Sequence, residues 1–256
     1  MIVLICHIGQ LFTNINFHEI IVSIEAEDAS VLLPFASKLQ LKLKRKGRPL
    51  LHTKSNMNLE KIEKIAHDEM ASRITHQHRE PGWILYHGIR TGKIACHLVR
   101  KIGLDEDPDA LYVAGLFHDI GKGKDYHNEV GAKRTHELLS NLIPKKILDT
   151  ICEMIQLHNQ RKHSANHSNL AKLIQDADLI DHTGLIDIWL SLYWSGNRNE
   201  TIQDHLKWFK GKDFDQWRDY MRNNLNFDVS RQILEDRIQK SDQMFVEFHN
   251  MYFNGI

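Results

Sequence analysis

Apolar residues recur at helical spacing through most of the chain after residue 57. In LEKIEKIAHDEMASRIT, Leu59, Ile62, Ile65, Ala66, Met70 and Ile74 fall along one helical face. Asn58 is placed to cap the start of that helix, and Pro81-Gly82 marks its end. Residues 83–102 predict a second helix, with Trp83, Tyr86, Ile94, Leu98 and Ile102 toward the core. Pro108 suits the first position of a third. That third helix, predicted over 109–120, is apolar nearly all round and so belongs inside the protein. Further helices are predicted over 128–141, 145–159, 169–182, 184–194, 200–209, 214–224 and 229–252.

The pattern changes upstream. EIIVSIEA (19–26) and KLQLKLKR (38–45) alternate apolar and polar residues as strands do. Residues 1–56 therefore read either as a small β appendage or as a poorly structured stretch before a start at Met57. The basic run Lys42, Lys44, Arg45, Lys46 and Arg48 reads as a solvated face, with a phosphate-binding patch as the minority reading. The expected organisation is all-α: the segment 1–56, a helical core over 57–195, and a helical extension over 196–256 packed on that core.

Composition narrows the function. With 33 basic and 33 acidic residues the formal charge is zero, so attraction of the whole molecule to nucleic acid or a membrane surface is not indicated. MIVLIC at the start is too short for a membrane span and lacks the basic flank of a signal peptide. The three cysteines, Cys6, Cys96 and Cys152, are scattered and odd in number, which fits a reducing cytoplasm better than a disulfide framework. The unusual count is 17 histidines, the commonest side-chain metal ligand. His76, His78, His163 and His167 stand in polar surroundings and read as solvated.

The stretch LFHDIGKGK (116–124) carries His118 and Asp119 into the end of the apolar run ALYVAGLF. Burying an imidazole and a carboxylate without partners is costly, so either each is paired or a cation binds both. Four other positions stand at helix ends or on apolar faces in the same way: His87, His127, His158 and Asp178, with Asp176 two residues away as the runner-up for the carboxylate. Oxygen and imidazole donors of this kind suit Mn, Fe, Mg, Ni or Co.

The ordered set of His87, the pair His118-Asp119 and an aspartate in QDADLID resembles the HD superfamily of metal-dependent phosphohydrolases. LFHDIGKGK is close to that family's usual wording, and HDIGKGKDYHNEVGA is similar to the HD domain of the uridylyl-removing enzyme that modifies PII proteins. The resemblance covers roughly residues 65–195 and implies an HD-domain helical bundle holding one or two divalent ions. By the same resemblance His87, His118, Asp119 and Asp178 would ligate one ion. His127 and His158, as in dinuclear members, would complete a second, with Asp119 as bridge. The GYP motif of the cyclic-dinucleotide phosphodiesterases is absent after His158, where NQRKHSANHS stands, and so is their tandem histidine.

The function implied is hydrolysis of a phosphoester or phosphoanhydride in a nucleotide or other small phosphorylated molecule; the alternative is a regulatory module that binds a nucleotide or metal without turnover. Asp119 and Lys122 are the candidate catalytic residues. Lys122, at i+4 from His118, would bind phosphate or orient Asp119, and Arg90 is a candidate phosphate ligand. Gly121 and Gly123 let the backbone turn closely past the site, and loop 160–168 would line its entrance. Trp189, Tyr193, Trp194, Trp208, Trp217 and Tyr220 read as helical core, with base stacking as the alternative. A homodimer paired through helices is a further expectation by family analogy.

A second HD dipeptide, His67-Asp68, lies off the apolar face of its helix and reads as solvated. Asp119→Ala is expected to abolish metal-dependent hydrolysis while the far-ultraviolet circular dichroism stays helical, and His67→Ala to change neither. Full activity in the first variant, or a large loss in the second, would mean that the wrong pair had been chosen.

Overall fold

The buried third helix organises the fold. The computed structural model describes residues 57–75 and 79–255, and among them are ten α-helices and no strand. They are α1 (Leu59–Met70), α2 (Trp83–Ile102), α3 (Pro108–Phe117), α4 (His127–Leu139), α5 (Lys145–Leu157), α6 (Asn169–Asp181), α7 (Leu185–Asn197), α8 (Ile202–Phe209), α9 (Lys212–Asn223) and α10 (Asp228–Asn254). A short 3-10 turn, Arg161–Asn166, links α5 to α6. The strands expected in 1–56, and His76 and His78, lie outside the described residues. None of the described helices is long and apolar enough to cross a membrane.

Every residue of α3 from Ala110 to Phe117 is buried, and α1, α2, α5 and α6 pack around it. Pro108 sits in its first turn, and Asp107 caps it by accepting from the Asp109 amide at 3.0 Å. The α2–α3 approach is close because glycines face it: a Cβ at Gly115 would stand 2.5 Å from the Gly92 backbone, and one at Gly88 2.3 Å from the Leu116 carbonyl oxygen.

Three expected features are corrected. The helix predicted over 109–120 stops at Phe117. Beyond it, i→i+3 bonds replace the α-helical ladder, from Ile120 N to Phe117 O (3.0 Å) and from Lys122 N to Asp119 O (2.9 Å). His118 and Asp119 therefore lie in turns, and a Cβ at Gly121 would meet the His127 carbonyl at 2.1 Å. Helix α1 ends at Met70, well before Pro81. Arg73 is thereby freed to donate to the Ile120 and Lys122 carbonyls, and Ile74 is left 70% exposed. Several aromatics expected in the core are exposed, namely Tyr86, Trp189, Trp194, Trp208, Trp217 and Tyr220. Their helical spacing is real, but for the five on α7, α8 and α9 too few elements pack over those helices to cover them.

Helix α10 packs on α2, α6 and α7, and α7 runs unbroken through residue 195 into the extension. Asp176 ties the extension down. Its carboxylate accepts from the Asn226 amide (2.8 Å), the Asn226 side chain (2.8 Å) and the Phe227 amide (3.1 Å). Asp176→Ala should therefore lower stability by about 1–3 kcal/mol, read as a fall in the thermal midpoint, with metal uptake unchanged. Loss of metal with an unchanged midpoint would contradict this role.

Candidate metal centre

Helices α3, α5 and α6 all end at one place. His118 is the C-cap of α3, His158 is the C-cap of α5, and Asp181 closes α6 with His182 as its cap. Helix C-termini carry partial negative charge, and three together favour a cation. His127 begins α4, and His87 comes from the second turn of α2.

The histidine rings are oriented by their outer nitrogens. His118 Nδ1 bonds the Gly115 carbonyl at 2.7 Å and His158 Nδ1 bonds the Ile155 carbonyl at 2.6 Å. A carbonyl only accepts, so both Nδ1 atoms carry the hydrogen and both Nε2 atoms present lone pairs when the ring is neutral. His87 Nδ1 likewise donates to Asp181 at 2.7 Å. The inner nitrogens then crowd together: His87 and His118 Nε2 are 3.1 Å apart, and His127 and His158 Nε2 3.3 Å. Lone pairs so placed need a proton or a metal ion between them, and an outer nitrogen held by a carboxylate or carbonyl is the usual arrangement of a metal-ligating histidine.

Asp119 stands between the two groups. Its Oδ2 lies 4.0 Å from His87 Nε2 and 3.9 Å from His118 Nε2, while its Oδ1 lies 3.6 Å from both His127 and His158 Nε2. Asp178 Oδ1 approaches His87 at 3.1 Å and His118 and His182 at 3.6 Å each. Donor atoms close enough to share one ion occur in the sets His87–His118–Asp119, His118–His158–Asp178, His87–Asp178–His182 and Asp119–His127–His158. The donor chemistry fits one or two divalent ions.

Electrostatics agree with that donor set. Burial would raise the Asp119 carboxyl, but His118, His158 and Lys122 hold it well below the usual carboxylate range. Burial likewise opposes ionisation of Asp178, and Arg161 with His118 and His87 overcomes it. Burial pushes His127 down to about 4 and His182 to about 3, and it lowers His158 too, so all three are neutral at pH 7. His87 is the exception: burial pulls it down, but its hydrogen bonds to Asp178 and Asp181 lift it to about 9.

The structure thus brings His87, His118, Asp119, His127, His158 and Asp178 together, while Asp176 faces the extension instead. Lys122 Nζ lies 3.2 Å from Asp119 Oδ2, reached through a turn, where helical i+4 spacing had been expected. Arg90, expected at phosphate, grips Asp181 with Nε at 2.8 Å and Nη2 at 2.9 Å, its guanidinium 4.9 Å from the Trp83 ring centre. Trp83 stacks on His87 with ring centres 5.7 Å apart. His67 and Asp68 are exposed on α1, with Asp68 paired to Lys64.

The sequence reading missed His182, Arg161 and Arg73. His182 follows Asp178 by four residues and shares its helical face, a signal present in the sequence. Arg161, which pairs with Asp178, and Arg73 reach the site only through tertiary contacts.

Comparison with known proteins agrees with this geometry. Residues 84–183 match the HD domain family, spanning the stretch that supplies all six candidate ligands. By that match, the chain carries an HD domain over residues 84–183. Its fold is shared with the YpgQ protein of Bacillus subtilis, solved in complex with ADP, at 16% identity and a TM-score of 0.52, over 77% of this chain and 98% of that one. A predicted HD superfamily hydrolase from an uncultured Thermotogales bacterium gives 18% identity and a TM-score of 0.52, over 77% and 94% of the two chains. A Lactobacillus plantarum protein gives 18% and 0.52, over 76% and 96%.

Because Asp178, which faces the metal position, and Asp181 on the outer side hold His87 protonated up to about pH 9, an ion binding at its Nε2 must displace that proton. Titration calorimetry at pH 7.5 in buffers of different ionisation enthalpy should show about one proton released as the first divalent ion binds. Affinity should rise with pH until His87 deprotonates. Binding without proton release would remove His87 from the ligand set.

Proposed function

We propose that the protein is a metal-dependent phosphohydrolase acting on a nucleotide or related small phosphorylated molecule. The observation that carries this reading is Asp119, whose two oxygens each face a different histidine pair. One buried carboxylate so placed can hold two ions side by side. A divalent ion bound there supplies water activation near neutral pH and offsets charge on phosphoryl oxygens.

The chain's own residues account for the rest of the proposal. His87, His118 and Asp178 would hold one ion and His127 and His158 the other. Lys122, 29% exposed beside Asp119, would bind a substrate phosphoryl oxygen and help keep Asp119 ionised. Arg90 would act through Asp181 by fixing the carboxylate that orients His87. Arg161 would restrain Asp178 from the opposite side. Neutral His182, 3.6 Å from Asp178, would join His87 and Asp178 at the first ion. The ADP complex of YpgQ supports a nucleotide as the ligand class. The scattered, odd-numbered cysteines support a cytoplasmic setting.

The test is metal content by plasma mass spectrometry, followed by hydrolysis assays on nucleoside phosphates and diadenosine polyphosphates with Mn, Mg, Co or Ni. About two ions per chain and turnover lost in Asp119→Ala, His127→Ala and His158→Ala are expected. One ion per chain, with His127→Ala fully active, would reduce the site to the His87–His118–Asp119–Asp178 set. Tight metal binding without turnover of any phosphate would favour the regulatory module.

A further inference from the structure

A cavity of about 880 Å³ adjoins the metal centre, and His182 lines both. Its far walls come from the helices beyond the family match. Trp194 of α7, Trp208 of α8 and Trp217 of α9 converge on it, and they are 43%, 39% and 37% exposed. These are three of the five tryptophans in the chain. A core would have covered them, and phenylalanines of the extension lie within reach: Trp208 meets Phe214 edge-on at 4.9 Å. The indoles instead wall a concavity whose size falls within the roughly 300–1,000 Å³ of small-molecule sites.

We propose that this cavity receives the base of a nucleotide whose phosphates lie at the metal centre. The inference rests on the reading above that the centre acts on a phosphorylated molecule, and it adds which part of the chain selects the substrate.

Charge sets the orientation. Asp187, Glu200 and Asp204 line the cavity together with Arg79 and Arg198, so it carries no excess of positive charge to hold a phosphate chain. The residues that would hold metal ions lie at the His182 end, and Trp194, Trp208 and Trp217 come from the helices beyond it. Indole faces suit a planar base, which stacks on them with little regard to its identity. Two of the three carboxylates are committed within the protein: Glu200 accepts from Ser195 and Arg198, and Asp204 from Thr201. Asp187, half-buried and within the fields of Arg79 and Arg218, makes no hydrogen bond to a described residue and is placed to accept from an amino group of a base or a ribose hydroxyl.

Exposed aromatics also mark protein docking faces. Two features favour a small ligand here. Three tryptophans line one cavity, with Arg198 over Trp194 and Tyr220 stacked with Trp217, and carboxylates and a metal-site histidine line the same space. Trp189, at 52% exposure, lies outside the lining and serves as the control.

The test is calorimetric binding of adenosine, guanosine, cytidine and uridine to the full-length protein, with ribose 5-phosphate as the probe that lacks a base. At least one nucleoside should bind. Trp194→Ala and Trp217→Ala should each weaken it about tenfold or more, converting the usual stacking contribution into affinity. Trp194→Phe should keep most of the binding, and Trp189→Ala all of it. In turnover, the alanine variants should raise KM for the nucleotide more than they lower kcat, and should leave ribose 5-phosphate hydrolysis unchanged. No nucleoside binding at about 1 mM, or full binding in the Trp194→Ala, Trp217→Ala double variant, would overturn the base pocket.

The two readings fail differently. Nucleoside binding without hydrolysis of any phosphate would sink the hydrolase and leave the pocket. Equal hydrolysis of nucleotides and ribose 5-phosphate, unaffected by the tryptophan variants, would sink the pocket and leave the hydrolase.

Discussion

A helix that ends inside a protein leaves carbonyl groups with no partner, and α3, α5 and α6 all end inside this one. Each such carbonyl left bare would cost about 1–3 kcal/mol. The chain meets the problem twice in the same way: a histidine at the C-cap folds back and donates from Nδ1 to the carbonyl three residues before it. The ring is then fixed, and its other nitrogen points forward into the space where the helices meet. Satisfying the helix end and aiming the ligand are one act. Arg73 extends the solution past the end of α3 by taking the carbonyls of Ile120 and Lys122.

The same junction gathers three buried carboxylates, a costly arrangement for a protein interior. Each has a cation on its outer side: Lys122 for Asp119, Arg161 for Asp178 and Arg90 for Asp181. These pairs hold the carboxylates ionised while their inner sides remain turned to the imidazoles. Without metal, a proton on His87 supplies the remaining positive charge. The site is thus a place where a proton and a divalent ion would compete for His87.

Much of this was legible in the sequence. The helical spacing gave the elements, and the apolar run before His118-Asp119 marked the one helix that had to be buried. Pro108 and Asn58 announced helix starts, because the chemistry of a helix start is local. Helix ends were harder. The α3 stop at Phe117 depends on Arg73, which bonds the Ile120 carbonyl from 47 residues away, and on the passage of Gly121 against α4. The roles of Asp176 and Asp178 could not be separated locally, since both lie on α6 and differ only in whether the extension or the α2–α3 junction faces them. The exposed tryptophans misled for the opposite reason. Periodicity reports which face a residue is on, and only the tertiary fold decides whether anything covers that face.

Between α2 and α3 the contact is made by backbone, through Gly88, Gly92 and Gly115. Elsewhere in the core a larger residue on one helix can be matched by a smaller one on its neighbour, so sequences can drift in pairs while the volume stays constant. Where backbone meets backbone there is no smaller partner to offer. The seam between these two helices therefore evolves under a stricter rule than the core around it. It fixes the distance between the helix that carries His87 and the one that delivers His118 and Asp119, so the spacing of the ligands can persist through changes that rewrite most of the side chains nearby.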